Sequence, residues 1–230
     1  MNTIHEYVKQ YGRFTFQESP FNEVDNAVFS SLAYLDFSDC IEGEEEITIR
    51  FLARRYFKKN NTQKIRKNPH SIRQMIETFF LCSTVRRYQD IIVHHFRHII
   101  NETTQFQALC FTISKGTMFV AFEGTDDSMV GWHEDFDMMH TFPIPSQKLA
   151  MEYLSQVITK KYHRVYVGGH SKGGNLAMTA CMYLPFWKQH KVKQIYNNDG
   201  PGFRKEEYES KEFKRIEKKL HVIIPESSVI

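Results

Sequence analysis

The stretch that decides the fold is VYVGGHSKGGNLAMTA, residues 165–180. It starts with alternating β-branched residues, passes through a glycine-rich turn and continues into a helix-forming segment. Within the turn, Gly169, Ser171 and Gly173 match the pattern G-x-S-x-G between a strand and a helix. A turn this sharp strains its central residue and leaves no room for side chains on either flank, which favours glycine there. The pattern predicts that the Ser171 hydroxyl projects above the sheet edge as a nucleophile.

A helix-capping serine is the alternative interpretation of Ser171, because serine is a favoured N-cap residue. The strand before it, the helix after it and the additional Gly174 favour the nucleophile. The same turn places the backbone N–H of Lys172 at a helix N-terminus. This N–H is predicted to donate to an oxyanion that develops during the reaction.

A second glycine site lies upstream, where FVAFEGTDD, residues 119–127, ends a predicted strand at Gly124-Thr125. Enzymes with a nucleophile on a strand-to-helix turn place another oxyanion donor after an earlier strand. Thr125 is predicted to offer its backbone N–H and its hydroxyl for this purpose. An ordinary strand-exit turn is the alternative for Thr125-Asp126-Asp127.

The pattern of the whole chain predicts one α/β domain, residues 1–230, with a mostly parallel sheet flanked by helices. Residues 1–100 are predicted to be mainly helical, and residues 101–230 to form the sheet core. Strands that alternate with helices are typical of a parallel sheet covered on both faces. The predicted helices lie at residues 20–35, 47–57, 69–81, 145–160, 174–184 and 205–219, and the strands at 105–112, 117–122, 164–167, 193–197 and 220–224. Residues 58–67, KKNNTQKIRK, are predicted to form a solvated basic connection.

Composition excludes several classes of protein. With 230 residues, a net charge of +3 and 41% hydrophobic residues, nothing in the chain favours nucleic-acid binding. No segment has the apolar length of a signal peptide or a membrane span, so a cytoplasmic location is predicted. The four cysteines are scattered without metal-ligand spacing and are predicted to be buried free thiols. We expect no metal and no cofactor.

A serine nucleophile needs a histidine base and a carboxylate that orients it. On this type of turn the chain order is serine, then acid, then histidine. Asp199 follows a predicted strand in the turn Asp-Gly-Pro-Gly, and Glu226 follows the last predicted strand. Asp199 as a turn former and Glu226 as an exposed loop acid are the alternatives. Both residues remain candidates for the acid.

The base is harder to find, because only His190 and His221 follow the serine. His190 lies in the basic stretch WKQHKVK and is predicted to be solvated. His221 begins the last predicted strand and is the candidate base. His170, next to the serine, is predicted to serve in packing or hydrogen bonding.

Several motifs together carry a resemblance to a known family. They are FEGTDD with the following Trp132 and Asp135, GHSKGG, NNDGPGF, and SPFNEVDNAVFSSLAYLDF near the N-terminus. The chain resembles the class 3 lipase branch of the α/β-hydrolases, and more closely an uncharacterised bacterial family of lipase-like serine hydrolases. The resemblance implies that Ser171 is the nucleophile, that Thr125 and Lys172 form the oxyanion hole, and that esters are cleaved through an acyl-enzyme.

The sequence departs from that family in two places. Glu123 stands where relatives carry an arginine, close to the residue that matches Asp135. Glu123 and Asp135 are therefore predicted to face each other, and their repulsion is predicted to raise the pKa of one of them. In relatives the sequence also continues beyond the stretch that matches PESSVI and carries a histidine there. This implies that the triad histidine and the C-terminal part of the fold lie outside the sequence, with reduced activity as the consequence.

The leading functional hypothesis is a serine hydrolase of carboxylic esters, acting on a small-molecule ester or a lipid-like substrate. A catalytically silent hydrolase-fold binding protein is the alternative, because the histidine base is not evident. Acyl transfer or thioester cleavage is a third possibility that the same turn supports. The N-terminal helices are predicted to cover one face of the sheet.

Overall fold

The computed structural model describes residues 3–41, 45–126 and 128–225. In this part of the chain, seven strands form one sheet whose spatial order follows the chain order, β1 to β7. The strands are β1 (Ile47–Thr48), β2 (Ile92–Ile100), β3 (Gln105–Ser114), β4 (Thr117–Phe122), β5 (Arg164–His170), β6 (Val192–Asn198) and β7 (Leu220–Ile223). The helices are α1 (Ile4–Tyr11), α2 (Glu23–Leu32), α3 (Ile49–Lys59), α4 (Thr62–Arg66), α5 (His70–Cys82), α6 (Met129–Met138), α7 (Pro145–Val157), α8 (Lys172–Met182), α9 (Phe186–Gln189), α10 (Lys205–Tyr208) and α11 (Lys211–Ile216).

The predicted α/β class is confirmed, but the sheet is mixed rather than mostly parallel. Strands β1 to β4 pair antiparallel, and strands β4 to β7 pair parallel. The parallel part contains the strand-helix alternation of residues 117–223. There the crossover helices return the chain to the end of the sheet where the previous strand began. The antiparallel part is built from hairpins and from β2, which the sequence interpretation assigned to the helical region.

Strand β2 was missed because its side chains do not alternate. The register with β3 shifts between His94 and Arg97, and His95 has a φ of 52°. A bulge of this kind places consecutive residues out of phase, so the two-residue period is lost. Four of the nine residues in IVHHFRHII are histidine or arginine, which weakens the apolar signal further.

Both faces of the sheet are covered, and β4 shows how one strand serves both. Phe119 and Ala121 face the N-terminal helices, whereas Val120 and Phe122 face α7 and α8. Because a strand projects successive side chains to opposite faces, a strand buried on both sides is apolar throughout. The predicted cover of one face by the N-terminal helices is confirmed. All four cysteines are buried free thiols.

A buried ion pair ties helix α2 to the segment that follows α5. Arg87 donates from Nε to Asp25 Oδ1 over 2.7 Å, and both side chains are fully buried. The Tyr88 hydroxyl donates to the same oxygen, and the Arg87 guanidinium lies 4.0 Å from the centre of the Phe16 ring. The remaining guanidinium hydrogens reach backbone carbonyls, including that of Ser19 at 2.9 Å. The pair therefore links α2 to the segments on both sides of the helical region.

The predicted basic connection at residues 58–67 contains the short helix α4, and the predicted helix at 205–219 divides into α10, α11 and a 3-10 turn. Within the described residues, no helix combines the length and the apolar character that a membrane crossing requires.

Candidate active site

The backbone at Ser171 has the strained conformation that the sequence predicts. Its φ is 53° and its ψ is −131°, between the end of β5 and the first residue of α8. A residue other than glycine rarely adopts a positive φ, and such strain is concentrated at functional sites. The chain therefore turns sharply at this serine.

The flanking glycines are required by close backbone contacts. A Cβ atom on Gly173 would lie 2.3 Å from the carbonyl oxygen of Phe122, and one on Gly169 would lie 2.4 Å from the carbonyl carbon of Gly173. Both distances are far below van der Waals contact, and the obstructing atoms belong to the backbone. The turn can pack against β4 only when both positions lack a side chain.

The Ser171 hydroxyl does not cap helix α8 in the described structure. The backbone is held instead, because Ser171 N–H donates to the Asn198 carbonyl over 3.0 Å and Gly174 N–H donates to the Ser171 carbonyl over 2.9 Å. The first N–H groups of a helix have no intrahelical acceptor, and Lys172 is the first residue of α8. Its N–H is thus a donor beside the serine, as an oxyanion hole needs.

Thr125 is found at the same end of the sheet, but its hydroxyl is already engaged. It donates to Asp135 Oδ2 over 2.6 Å. The hydroxyl proton is therefore directed at Asp135, and the Thr125 N–H stays the predicted oxyanion donor. Asp135 is carried by α6, a helix that is not among those predicted from the sequence. The overlooked signal was Ser128, which caps this helix by accepting from Gly131 N–H over 3.0 Å.

The side chain of Lys172 forms a buried network that the motif did not reveal. Its Nζ donates to Glu134 Oε2 over 2.9 Å and to the carbonyl oxygen of Gln105 over 3.0 Å, and both charged side chains are almost completely buried. Glu134 also accepts from the N–H groups of Gln105 and Ser146, at 3.1 and 3.0 Å. The network ties the start of α8 to α6, α7 and β3.

Glu123 lies beside this network and is 7% exposed. Gln105 Nε2 donates to its Oε2 over 2.8 Å. Burial, with the charge of Asp126 second, raises the pKa of Glu123 to about 8. Burial also raises the pKa of Asp135, with its hydrogen bond from Thr125 acting in the opposite direction. Raised acid pKa values are thus present as predicted, but the acid that acts most on Glu123 is Asp126 rather than Asp135.

His170 is held by the N-terminal helical region. The Tyr34 hydroxyl lies 2.8 Å from His170 Nδ1, and the two rings are 5.8 Å apart. Burial lowers the pKa of His170, while the charge of Asp199 raises it. The hydrogen-bonding role predicted for His170 agrees with this geometry, and the histidine joins Tyr34 to the serine turn.

Asp199 lies next to the serine turn and follows Ser171 in the chain, as expected for a candidate acid. It follows β6 with a φ of 55°, and its N–H donates to the Ile223 carbonyl over 2.8 Å. The neighbouring Gly200 approaches Ser171 so closely that a Cβ there would lie 2.3 Å from the serine carbonyl oxygen. The other acid candidate, Glu226, lies outside the described residues.

The candidate base His221 is held elsewhere. It pairs with Tyr196 across β6 and β7, two positions before the level at which Asn198 pairs with His170. Two strand spacings alone separate β7 from β5 by about 10 Å. The His221 ring contacts Tyr196, and its Nδ1 lies 3.5 Å from Glu23 Oε1. His190 is exposed at the end of α9.

A cavity of about 520 Å³ opens at Ser171. One side is formed by the ends of β4 and β5, including Thr125 and His170, and the other by the N-terminal helical region. A crevice at the carboxyl ends of parallel strands is the usual place for a ligand in an α/β sheet. The N-terminal wall consists of Tyr34, Leu35, Asp36, Asp39, Cys40, Tyr56, Asn60, Asn68, Pro69, Ser71, Ile72 and Met75.

The fold and this site define an α/β protein with a strained serine turn between β5 and α8. The chain belongs to the Mbeg1-like family, whose model matches residues 82–230. One solved structure with similarity to this chain is the crystal structure of M37 lipase, with 13% sequence identity and a TM-score of 0.45, covering 90% of this chain and 68% of that chain. No curated protein matches the sequence significantly.

Proposed function

We propose that this protein hydrolyses carboxylic esters with Ser171 as the nucleophile. The observation that carries the proposal is the backbone of Ser171, with φ 53° and ψ −131°, at the edge of a cavity of about 520 Å³. Structural strain at a serine that does not cap its helix is the signature of a reactive hydroxyl. The family membership and the fold are compatible with this activity.

In the proposed reaction, Ser171 Oγ forms a bond to the carbonyl carbon of the ester, and the carbonyl oxygen takes a negative charge. The N–H groups of Lys172 and Thr125 donate to that oxygen. The bond from the carbonyl carbon to the alcohol oxygen then breaks, and the proton of the serine leaves with the alcohol. Water attacks the acyl-enzyme, which releases the acid and restores Ser171.

Asp199 is the triad acid in this proposal, because it is held beside the serine turn by the end of β7. The base is the weak element of the site. Neither His190 nor His221 reaches Ser171, so proton removal falls to water or to a group outside the described residues. Loss of one triad member leaves a small part of the activity, which comes from the oxyanion hole and binding. Slow turnover is therefore expected.

Among the described residues neither His190 nor His221 serves as a base for Ser171, which favours the second candidate, a catalytically silent binding protein with this fold. The two functions differ in what Ser171 does with an acyl group. A hydrolase forms and releases the acyl-enzyme, whereas a binding protein neither reacts with an activated ester nor releases its alcohol.

A fluorophosphonate probe tests the proposal. Labelling forms a bond between Ser171 Oγ and phosphorus, breaks the P–F bond, and releases fluoride and the serine proton. We expect labelling of the wild type, none of Ser171→Ala, and full labelling of the control Ser114→Ala, which changes an exposed serine at the end of β3. Equal labelling of the wild type and Ser171→Ala would overturn the nucleophile. Absence of both labelling and ester turnover in the wild type would favour the binding protein.

A further inference from the structure

The cavity at Ser171 is lined by four carboxylates. Asp36 and Asp39 stand on the segment that follows α2, and Glu123 and Asp126 follow β4. Among the described residues that line this cavity, none is lysine or arginine. The cavity that contains the proposed nucleophile therefore has a predominantly negative wall.

Glu123 is the deepest of these acids and has an incomplete set of hydrogen bonds. More than nine-tenths of the residue is buried, and within the described chain only Gln105 Nε2 donates to its carboxylate. Burial and the neighbouring charge of Asp126 raise the pKa of Glu123 to about 8. A buried carboxyl group in contact with a cavity and near a second acid is stabilised by a positive charge from outside.

Among the described residues, His98 is a basic side chain beside this wall, with its Nδ1 3.4 Å from Asp36 Oδ1, and the nearby lysines bind other acceptors. Lys172 Nζ donates to Gln105 and Glu134, and its charge lowers the pKa of Glu123 without cancelling the effect of burial. The ammonium group of Lys59 donates a hydrogen bond to the backbone carbonyl oxygen of Asp39, which lines the cavity. Neither residue forms an ion pair with a carboxylate of the cavity wall among the described contacts.

The uncharged part of the wall is suited to a cation as well. The aromatic rings of Tyr34 and Tyr56 line the cavity, and the π face of a tyrosine attracts a positive group. Asn60 and Asn68 add amide oxygens. A phosphate or a free fatty acid would instead meet four acids without a compensating lysine or arginine.

We propose that the Ser171 cavity selects esters that carry a positive charge, such as an ammonium or quaternary ammonium group, over neutral and anionic esters. This inference rests on the proposed ester hydrolysis and narrows its substrate class. Asp36, Asp39 and Asp126 supply the attraction, Glu123 adds to it where its carboxyl group is ionised, and Ser171 performs the reaction on the ester carbonyl. Lipids with anionic head groups are excluded by the same charges.

A pair of probes of equal shape tests the selection. One is a fluorophosphonate with a trimethylammonium-ethyl group, and the other is its neutral 3,3-dimethylbutyl isostere. We expect the cationic probe to label Ser171 about tenfold faster in wild-type protein at low salt, and this ratio to fall in 0.5 M salt, because screening weakens partly exposed charges. The double variant Asp36→Asn/Asp39→Asn should lower the ratio about threefold. The control Asp90→Asn, which removes an exposed acid outside the cavity, should leave the ratio unchanged.

The outcomes separate this inference from the proposed function. Labelling by both probes at equal rates, or faster labelling by the neutral probe, overturns the charge selection and leaves the nucleophile in place. A ratio that survives Asp36→Asn/Asp39→Asn but falls in Glu123→Gln supports the selection and assigns it to the deeper acid. Labelling by neither probe overturns the proposed hydrolase, and the charge selection with it.

Discussion

Two buried ion pairs hold different parts of the molecule. One holds the helical N-terminal region, and the other holds the turn at residues 169–174 between β5 and α8, called the elbow below. Arg87 meets Asp25 with a forked guanidinium and binds several backbone carbonyls around α2. Lys172 meets Glu134 with a single ammonium directly beside the serine turn. Arginine is suited to bridging many acceptors, whereas lysine acts as a compact charge at one point.

The difference indicates what each region depends on. The N-terminal region is organised by side chains, so its ion pair determines stability with little influence on the serine. The elbow is organised by backbone contacts at Gly169 and Gly173, and its ion pair holds the start of α8 beside the proposed nucleophile. Variants in the two regions should therefore separate stability from reactivity.

The largest effect is expected at Gly173. Its substitution by alanine would place a Cβ 2.3 Å from the Phe122 carbonyl oxygen, so β4 and the elbow must separate. We expect Gly173→Ala to lose ~5 kcal/mol of stability, in the range of severe strain, and to lose Ser171 labelling. Urea unfolding and fluorophosphonate labelling measure both. The control is Gly202→Ala, because a Cβ at Gly202 has no neighbour within 4 Å. Similar stability of the two variants would contradict the close packing of the elbow.

The next effect is expected in the N-terminal region. Asp25→Asn leaves Arg87 buried without its counter-charge, and arginine does not lose its proton to adapt. We expect a loss of ~4 kcal/mol in urea unfolding, with the labelling rate of Ser171 unchanged in the folded fraction. A slower labelling rate in fully folded Asp25→Asn protein would show that the N-terminal pair also supports the reaction site. The proposed separation of roles would then be wrong.

A smaller loss of stability, but a slower reaction, is expected for Glu134→Gln. Lys172 keeps its acceptors on Gln105, and the glutamine oxygen can still accept from its Nζ, so the cost should be ~3 kcal/mol. The loss of the negative charge loosens the start of α8, and we expect labelling of Ser171 to slow by about tenfold. Comparison with Asp25→Asn at equal folded fraction isolates this effect. An unchanged labelling rate would reduce Glu134 to a structural role.

The sequence predicted the elbow correctly because its geometry is local. The spacing of Gly169, Ser171 and Gly173 encodes a turn whose requirements arise within a few residues and the adjacent strand. Helices α2, α3 and α5 of the N-terminal region and the strands of the parallel half were also predicted from their apolar periods, whereas α1 and α4 were not. Boundaries at 69–81 and 105–122 agree with α5 and with the hairpin of β3 and β4 to within a few residues.

The remainder of the site depends on tertiary packing, which periodicity does not encode. Nothing in GHSKGG indicates that the Lys172 side chain is buried against Glu134, because lysine at a helix start is usually solvated. The contact of Tyr34 with His170 joins residues 136 positions apart in the chain. The bulge in β2 hid its strand period. For the same reason, the acidic wall of the cavity could not be assembled from the positions of its residues in the sequence.

The smallest predicted effect, and the only stabilising one, concerns Glu123, which lies where the two regions meet. Its pKa is raised from 4.5 to about 8 by burial and by the charges of Asp126 and Asp36, against the opposing effects of Lys172 and Gln105. Between these pH values the folded protein binds more protons at Glu123 than the unfolded chain does. The stability therefore falls as the pH rises from about 4.5 to about 8.

Glu123→Gln removes this contribution, so we expect it to gain roughly 2 kcal/mol relative to wild type at pH 8 and progressively less as the pH falls toward 4.5. Urea unfolding of both proteins across that range measures the difference. Glu77→Gln, an exposed change on α5, is the matched control and should give a difference that does not vary with pH. A Glu123→Gln curve parallel to that of the wild type would mean that the pKa of Glu123 is not raised in the folded protein. Gln105 and Lys172 would then balance its negative charge, and Glu123 would belong to the elbow rather than to the boundary between the two regions.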